Sequence, residues 1–324
     1  MRVLITGGAG FIGSHLAEAC INDGHDVCIL DDLSSGSLEN VSHLVGNPHF
    51  RSVIGNIQDE ALVGSSMDEC DVVYHLAAAI GMKLILAQPL QTLQTNVRGT
   101  EVVLAQAALR KKRILFASTS EVYGLNEHKP STETDDVVIG ASSKARWTYA
   151  CSKVLDEFLA FAYFREQGLP MTIARLFNTV GTRQTGRYGM VVPTFVKQAL
   201  ADKPLTVHGD GLQTRCFADV DEIARAMIAL MNEPLAIGEA FNLGSNEETA
   251  ILDLAKRVKK QTKSGSEIVF VPHDVAYEAG FDEIMRRIPD INKVAALTGF
   301  QPQTTLDEIL GKVIAESAGL LVSA

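Results

Sequence analysis

Residues 6–16 read TGGAGFIGSHL, with Gly7, Gly10 and Gly13 spaced three apart between an apolar run, RVLIT (2–6), and a stretch with helical spacing. Glycines at this spacing let a strand turn into a helix within a few residues and leave backbone N–H groups bare at the helix start. A chain that opens this way is committed to a strand–turn–helix unit whose loop serves a ligand. The rest of the first half repeats the pattern: DVCIL (26–30), RSVI (51–54), DVVYHLA (71–77), RILFAS (113–118) and MTIARLF (171–177) alternate with helical stretches. That alternation predicts an α/β fold, a Rossmann-type doubly wound parallel sheet with helices on both faces. After about residue 180 shorter elements take over, separated by GTRQTGRYG and HGDGLQTR, while VDEIARAMIALM and ILDLAKRVKKQ still read as amphipathic helices. The expected division is a nucleotide domain over 1–178 with a returning segment near 219–245, and a smaller, mainly substrate-binding domain over 179–324.

A diphosphate would lie on the helix start after the glycine turn. Asp31 closes the second strand pattern 18 residues after Gly13. An acid there accepts hydrogen bonds from an adenosine ribose and repels a 2′-phosphate, so NAD is expected over NADP. Asp32 is expected to face solvent. Nucleic-acid partners are disfavoured by a net charge of −10 and the lack of any Lys/Arg-rich block. MRVLITGG leaves no room for a signal peptide, no apolar stretch approaches membrane-span length, and the five cysteines form no CxxC or His cluster. The expectation is a cytoplasmic protein with reduced thiols, no metal and no membrane contact.

In WTYACSK, Tyr149 and Lys153 stand at i and i+4 on a helical stretch, so both side chains share a face. An ammonium beside the phenol favours phenolate, which suits Tyr149 to take a proton near neutral pH. The strand RILFA ends in STSEVYG, delivering Thr119, Ser120 and Glu121 to the ligand edge of the sheet. Thr119 suits a hydrogen bond to a substrate hydroxyl, and Glu121 suits an acid, a base or an orienting group.

GGAGFIG, HLAA (75–78), TNVRGT (95–100), STSEVYG, YACSK, RLFNTVG (175–181) and GDGLQTRCF (209–217) together resemble the extended short-chain dehydrogenases that modify nucleotide sugars. The likeness runs from Met1 to about Leu310. STSEVYG, TGRYGMVVP and RRIPDI look most like UDP-glucuronate decarboxylases and bacterial UDP-glucuronate 4-epimerases. The resemblance implies Thr119, Glu121, Tyr149 and Lys153 as the catalytic set. It implies Gly7, Gly10, Phe11, Ile12, Gly13, Asp31, Asn56, Ile57, Leu76, Ala77, Ala78 and Asn96, with Tyr149 and Lys153, around NAD. It also implies Lys83, Thr119, Ser120, Asn178, Arg215 and Arg287 around a UDP-sugar, and a homodimer paired through 94–110 and 147–165.

The shared first step in such a family is oxidation at C4 of the sugar, with Tyr149 taking the hydroxyl proton. Ser120 stands where the family's dehydratases carry an Asp, and a hydroxyl is too weak an acid for 5,6-dehydration. Glu121 stands where simple UDP-glucose epimerases carry small hydroxyl residues, which points to a uronate. A uronate carboxylate needs a counter-charge, for which Arg187 is the candidate and Arg183 the alternative. Two departures are Asn56 in place of an Asp near the adenine, and WTYACSK without the Pro that commonly precedes the Tyr. The preferred reading is UDP-glucuronate 4-epimerase, on the likeness of RQTGRYGMVVP and ARWTYACSK. UDP-glucuronate decarboxylase is the alternative, followed by a UDP-glucose-type 4-epimerase and a non-catalytic NAD or nucleotide-sugar binder.

Overall fold

The structure, a computed structural model of the chain, describes residues 1–126, 130–186, 189–276 and 282–323, without the side chains of 82, 83, 274 and 321–323. Seven parallel strands form the central sheet: β1 Arg2–Thr6, β2 Asp26–Asp31, β3 Phe50–Ile54, β4 Val72–His75, β5 Arg113–Thr119, β6 Met171–Leu176 and β7 Glu239–Leu243. Their spatial order is 7-6-5-4-1-2-3. The strands are apolar runs because both faces are covered. One face packs on α1 (Phe11–Asn22), α4 (Val220–Asn232) and α5 (Asn292–Thr298). The other packs on the helix Glu60–Asp68 and on α2 (Gly99–Leu109) and α3 (Thr148–Gln167).

The sequence places the strands within one or two residues of where they are, because short apolar runs bounded by turns leave little choice of element. The expected helix over 94–110 is different in detail: Gln94–Arg98 makes a wide π-type turn before α2 begins. The late strand β7 pairs with β6, Phe241 opposite Ala174. A second core gathers Val192, Phe195, Val207, Leu254 and Val258 with Ile309, Leu310 and Val313 of the last helix, α6 (Leu306–Ser323). Beside it, Arg286–Arg287 pairs with Thr214–Cys216, which sets Arg287 next to Arg215.

The strand order reverses at β1, whose neighbours are β2 and β4. A reversal of this kind opens a crevice beyond the strand ends, where sheets of this type take their ligands. No described helix is long and apolar enough to cross a membrane.

Candidate active site

A cavity of about 980 Å³ occupies that crevice. At its floor the glycine turn has the geometry its sequence requires. Gly7 sits at φ +72°, and a Cβ on it would lie 2.7 Å from the Ala77 nitrogen, while a Cβ on Gly13 would run into the Gly7 carbonyl oxygen. The first turn of α1 carries no acidic residue, so its bare N–H groups are free to attract an anion. Gly10, Phe11, Ile12, Gly13, Ile57, Leu76, Ala77 and Ala78 all line the cavity, as does Asp31. Asp31 is buried, and its two oxygens accept the Ala9 and Leu33 N–H groups at 2.9 and 2.8 Å. Burial, with Asp32 beside it, lifts its pKa above the usual carboxylate value. Asp32 is exposed yet shares the wall. A glycine turn with no room for side chains, an unblocked helix start and a fixed acid at the next strand end fit a dinucleotide.

Two residues expected at the cofactor, Asn56 and Asn96, do not line the cavity. Asn56 is exposed and off the wall; its Oδ1 accepts the Gln58 N–H at 2.8 Å and its amide donates to Asp32 at 3.1 Å. Asn96 is fully buried and clamps structure instead: it accepts from Ala79 at 2.7 Å and donates to the Ser152 hydroxyl at 3.1 Å. The wide turn that carries it points it inward, and Thr95 takes the place on the wall.

Thr119, Ser120, Glu121, Tyr149, Lys153, Asn178 and Arg287 meet at the other end of the cavity. The Thr119 hydroxyl lies beside the Tyr149 phenol and favours its ionised form. Ser118 turns away to donate to Glu157 at 2.5 Å, and Glu157 is gripped at two points by Arg175. The phenol of Tyr149 is not poised as phenolate here. Burial and the nearby Glu121 raise its pKa, and only the Thr119 hydroxyl works the other way. The Lys153 ammonium lies 3.6 Å from Asp156 and 4.4 Å from the centre of the Phe116 ring. Burial lowers the pKa of Lys153 and lifts that of Asp156 to about 6. Asp156 accepts from Thr100, which bonds His75, which bonds Thr6, so a buried polar chain runs behind the cavity from the lysine to the tip of β1.

Glu121 is held between two arginines. Its two carboxylate oxygens lie 2.7 Å from Arg146 and 2.7 Å from Arg287. Burial opposes its ionisation, but Arg287 and Arg146 overcome that and hold its pKa at about 2. It is therefore an orienting carboxylate and not an acid near neutral pH. Burial lowers Arg287 to about 10, still charged at neutral pH, and its Nε has no partner. The Asn178 side-chain oxygen is also buried without a partner. Of the two arginines that flank the Glu121 carboxylate, Arg287 lines the cavity.

Arg215 does not line the cavity; it stands beside Arg287 and is held by Glu283 at 2.6 Å. Arg183 lines the cavity, and its guanidinium is paired with Glu18 on α1. Lys83 and Arg187 lie outside the described residues. Sequence reasoning did not find Arg146, which is only 3% exposed. Its position one helical turn before Tyr149 was the available signal. Asp156, at i+3 from Lys153, was readable in the same way.

The family profile described as GDP-mannose 4,6 dehydratase matches residues 4–313. Among curated sequences, a UDP-N-acetyl-α-D-glucosaminuronate decarboxylase of Bacillus cytotoxicus is 42% identical, over 97% of this chain and 96% of that protein. UDP-glucuronic acid decarboxylase 1 of Danio rerio is 37% identical over 97% of this chain and 72% of its own length. Among solved structures, the UDP-glucuronic acid 4-epimerase of Bacillus cereus, in complex with UDP-glucuronic acid and NAD, is 28% identical with a TM-score of 0.89, covering 99% of this chain and 100% of that one. These relatives favour the decarboxylase alternative over the 4-epimerase preferred from the sequence.

Proposed function

This chain belongs to the GDP-mannose 4,6 dehydratase family of nucleotide-sugar enzymes, and from that premise we propose that it is an NAD-dependent decarboxylase of a UDP-hexuronate. The observation that carries the reading is Arg287 on the cavity wall beside Thr119, Glu121 and Tyr149, a guanidinium placed to meet a carboxylate entering the cavity. The two decarboxylases at 42% and 37% identity support it.

NAD, when bound along the glycine turn and Asp31, supplies the hydride acceptor for C4 and a cationic ring in a buried site. With the cofactor's positive charge opposing the burial that raises its pKa, Tyr149 would ionise and, as phenolate, take the C4 hydroxyl proton, with Thr119 beside it holding the oxygen. Once C4 is a ketone, the C6 carboxylate belongs to a β-keto acid. Carbon dioxide then leaves with the C5–C6 electron pair passing into an enolate on O4, beside the Tyr149 and Thr119 hydroxyls. Arg287, with its free Nε, pairs the carboxylate before it leaves and holds the sugar without a strong acid or base at C5. Asn178, with its unpartnered oxygen, is assigned to the UDP portion. We assign the glycine turn and Asp31 to the cofactor, and residues 119–121, 149, 153, 178 and 287, which line the same cavity, to the substrate and its reaction.

The experiment is incubation of the protein with UDP-glucuronate, and separately with its 2-acetamido counterpart, with NAD, followed by NMR of the anomeric protons. The expected result is a UDP-pentose or its 4-keto form with release of carbon dioxide. UDP-galacturonate at unchanged carbon count would return the reading to 4-epimerase. Turnover of UDP-glucose alone would remove the uronate.

A further inference from the structure

Part of the cavity wall is built from residues beyond the family match. The matched stretch ends at residue 313, whereas Glu316, Ser317 and Leu320 of α6 line the cavity. Their neighbour is the Thr182–Arg183 turn. Arg183 has φ +64°, a left-handed backbone that a residue with a side chain keeps only when its surroundings hold it. Both Glu316 carboxylate oxygens accept the Arg183 N–H, at 3.0 and 2.9 Å. On its other side the same turn is gripped by α1: the Thr182 carbonyl lies 3.1 Å from the His15 ring, and the Arg183 guanidinium is paired with Glu18 and 3.5 Å from the Ser14 hydroxyl. Since α1 starts at the glycine turn, these contacts place α6 at the cofactor end. The helix is anchored apart from Glu316, by Lys312 to Asp219 at 2.8 Å and by Ile309, Leu310 and Val313 in the second core.

We propose that the last turns of α6 form a retaining wall for the bound dinucleotide, and that Glu316 is a positioning residue holding the Thr182–Arg183 turn closed over it. The inference rests on the reading of the cofactor as NAD. Release of the dinucleotide then requires the turn to leave α1, which Glu316 resists while α6 stays docked. The cofactor remains in place through successive turnovers, as a reaction that ends with NAD regenerated allows.

The test loads the full-length protein with NADH, chases with excess NAD and follows the loss of bound NADH fluorescence. Glu316→Ala should release NADH about tenfold faster than the unaltered chain, the loss expected for one charge-assisted hydrogen bond. Glu316→Gln, which keeps a carbonyl acceptor, should release it about threefold faster. Release at the original rate from either folded variant would overturn the proposal. A purely structural role for Glu316 would lower the melting temperature of the NAD-free protein and leave the release rate unmoved, which also overturns it. The chase involves no sugar nucleotide, so a failure to turn over uronates bears on the proposed reaction and not on the wall.

Discussion

Replacing Arg146 with Met leaves Glu121 buried with Arg287 as its nearest counter-charge. The pKa of Glu121, about 2 in the intact site, then rises, because one of the two charges that outweigh burial is gone. The expected result is a loss of about tenfold or more in kcat/KM, with the acidic limb of the pH profile moved upward. Arg146→Lys should restore part of both. His75 is a separate case. It is fully buried between Thr6 and Thr100, and burial, with Lys153 nearby, lowers its pKa from 6.5 to about 3. A depressed folded-state pKa means its contribution to stability is present above 6.5 and is lost as pH falls toward 3. Asp156, raised from 3.8 to about 6, has the opposite sign: its contribution is present below 3.8 and is lost as pH rises through 6. Urea unfolding at pH 7 and pH 5 should therefore show a smaller loss on acidification for His75→Gln than for the unaltered chain. An equal loss in both would show that His75 is not the group titrating. The places of Gly7, Gly13, Asp31, Thr119 and Tyr149 on the cavity wall were legible because each is set by near neighbours in the sequence. Arg146 depends on Glu121 and Arg287, which stand on other elements that a single sequence does not bring together, whereas Asp156 was readable three residues after Lys153.

Among the elements, α3 carries the catalytic pair on its inner face and a bare apolar face outside. Phe158 is 68% exposed and Leu155 45%, and a groove nearby is lined by Leu93, Val97, Ala105 and Tyr163. This exposed apolar surface, whose groove also carries Glu60, Arg98 and Glu101, is the one from which the sequence predicts a homodimer. Phe158→Lys should shift sedimentation from dimer to monomer while the far-ultraviolet spectrum stays unchanged; a monomeric starting protein would remove the expectation. The seven long strands were legible from apolar runs. The short strands Thr214–Cys216, Glu248–Ala250 and Arg286–Arg287 were not, since two or three residues carry no periodicity and their pairing is set by tertiary contacts. The wide turn at 94–98 is a further case, because nothing in its residues departs from helical spacing.

For the molecule as a whole, the site is assembled from both cores. Trp147, the one tryptophan of the chain, is fully buried and donates to Asp282 at 3.0 Å, while Lys144 binds the other oxygen of Asp282 at 2.6 Å. Arg287 follows Asp282 by five residues, so the indole reports on the segment that carries it. A UDP-uronate should change Trp147 emission, and Asp282→Asn should weaken that response and raise KM more than it lowers kcat. An unchanged emission on saturation would show that the segment is set before substrate arrives. A second core gathers residues that follow the change of pattern near residue 180, and residues 220–243 pack with the sheet where a returning segment was expected; residues 291–300 return as well, with no pattern in the sequence to mark them.

That interleaving limits how such a chain can be recombined. The material outside the sheet half comes in three stretches, 179–219, 245–290 and 301–323, each returning to the same second core or its small sheet. A chimera made with one fusion point would join unmatched halves of that core. Exchanging the sugar pocket between relatives requires all three stretches to travel together, and libraries built on single crossovers should return mostly insoluble protein.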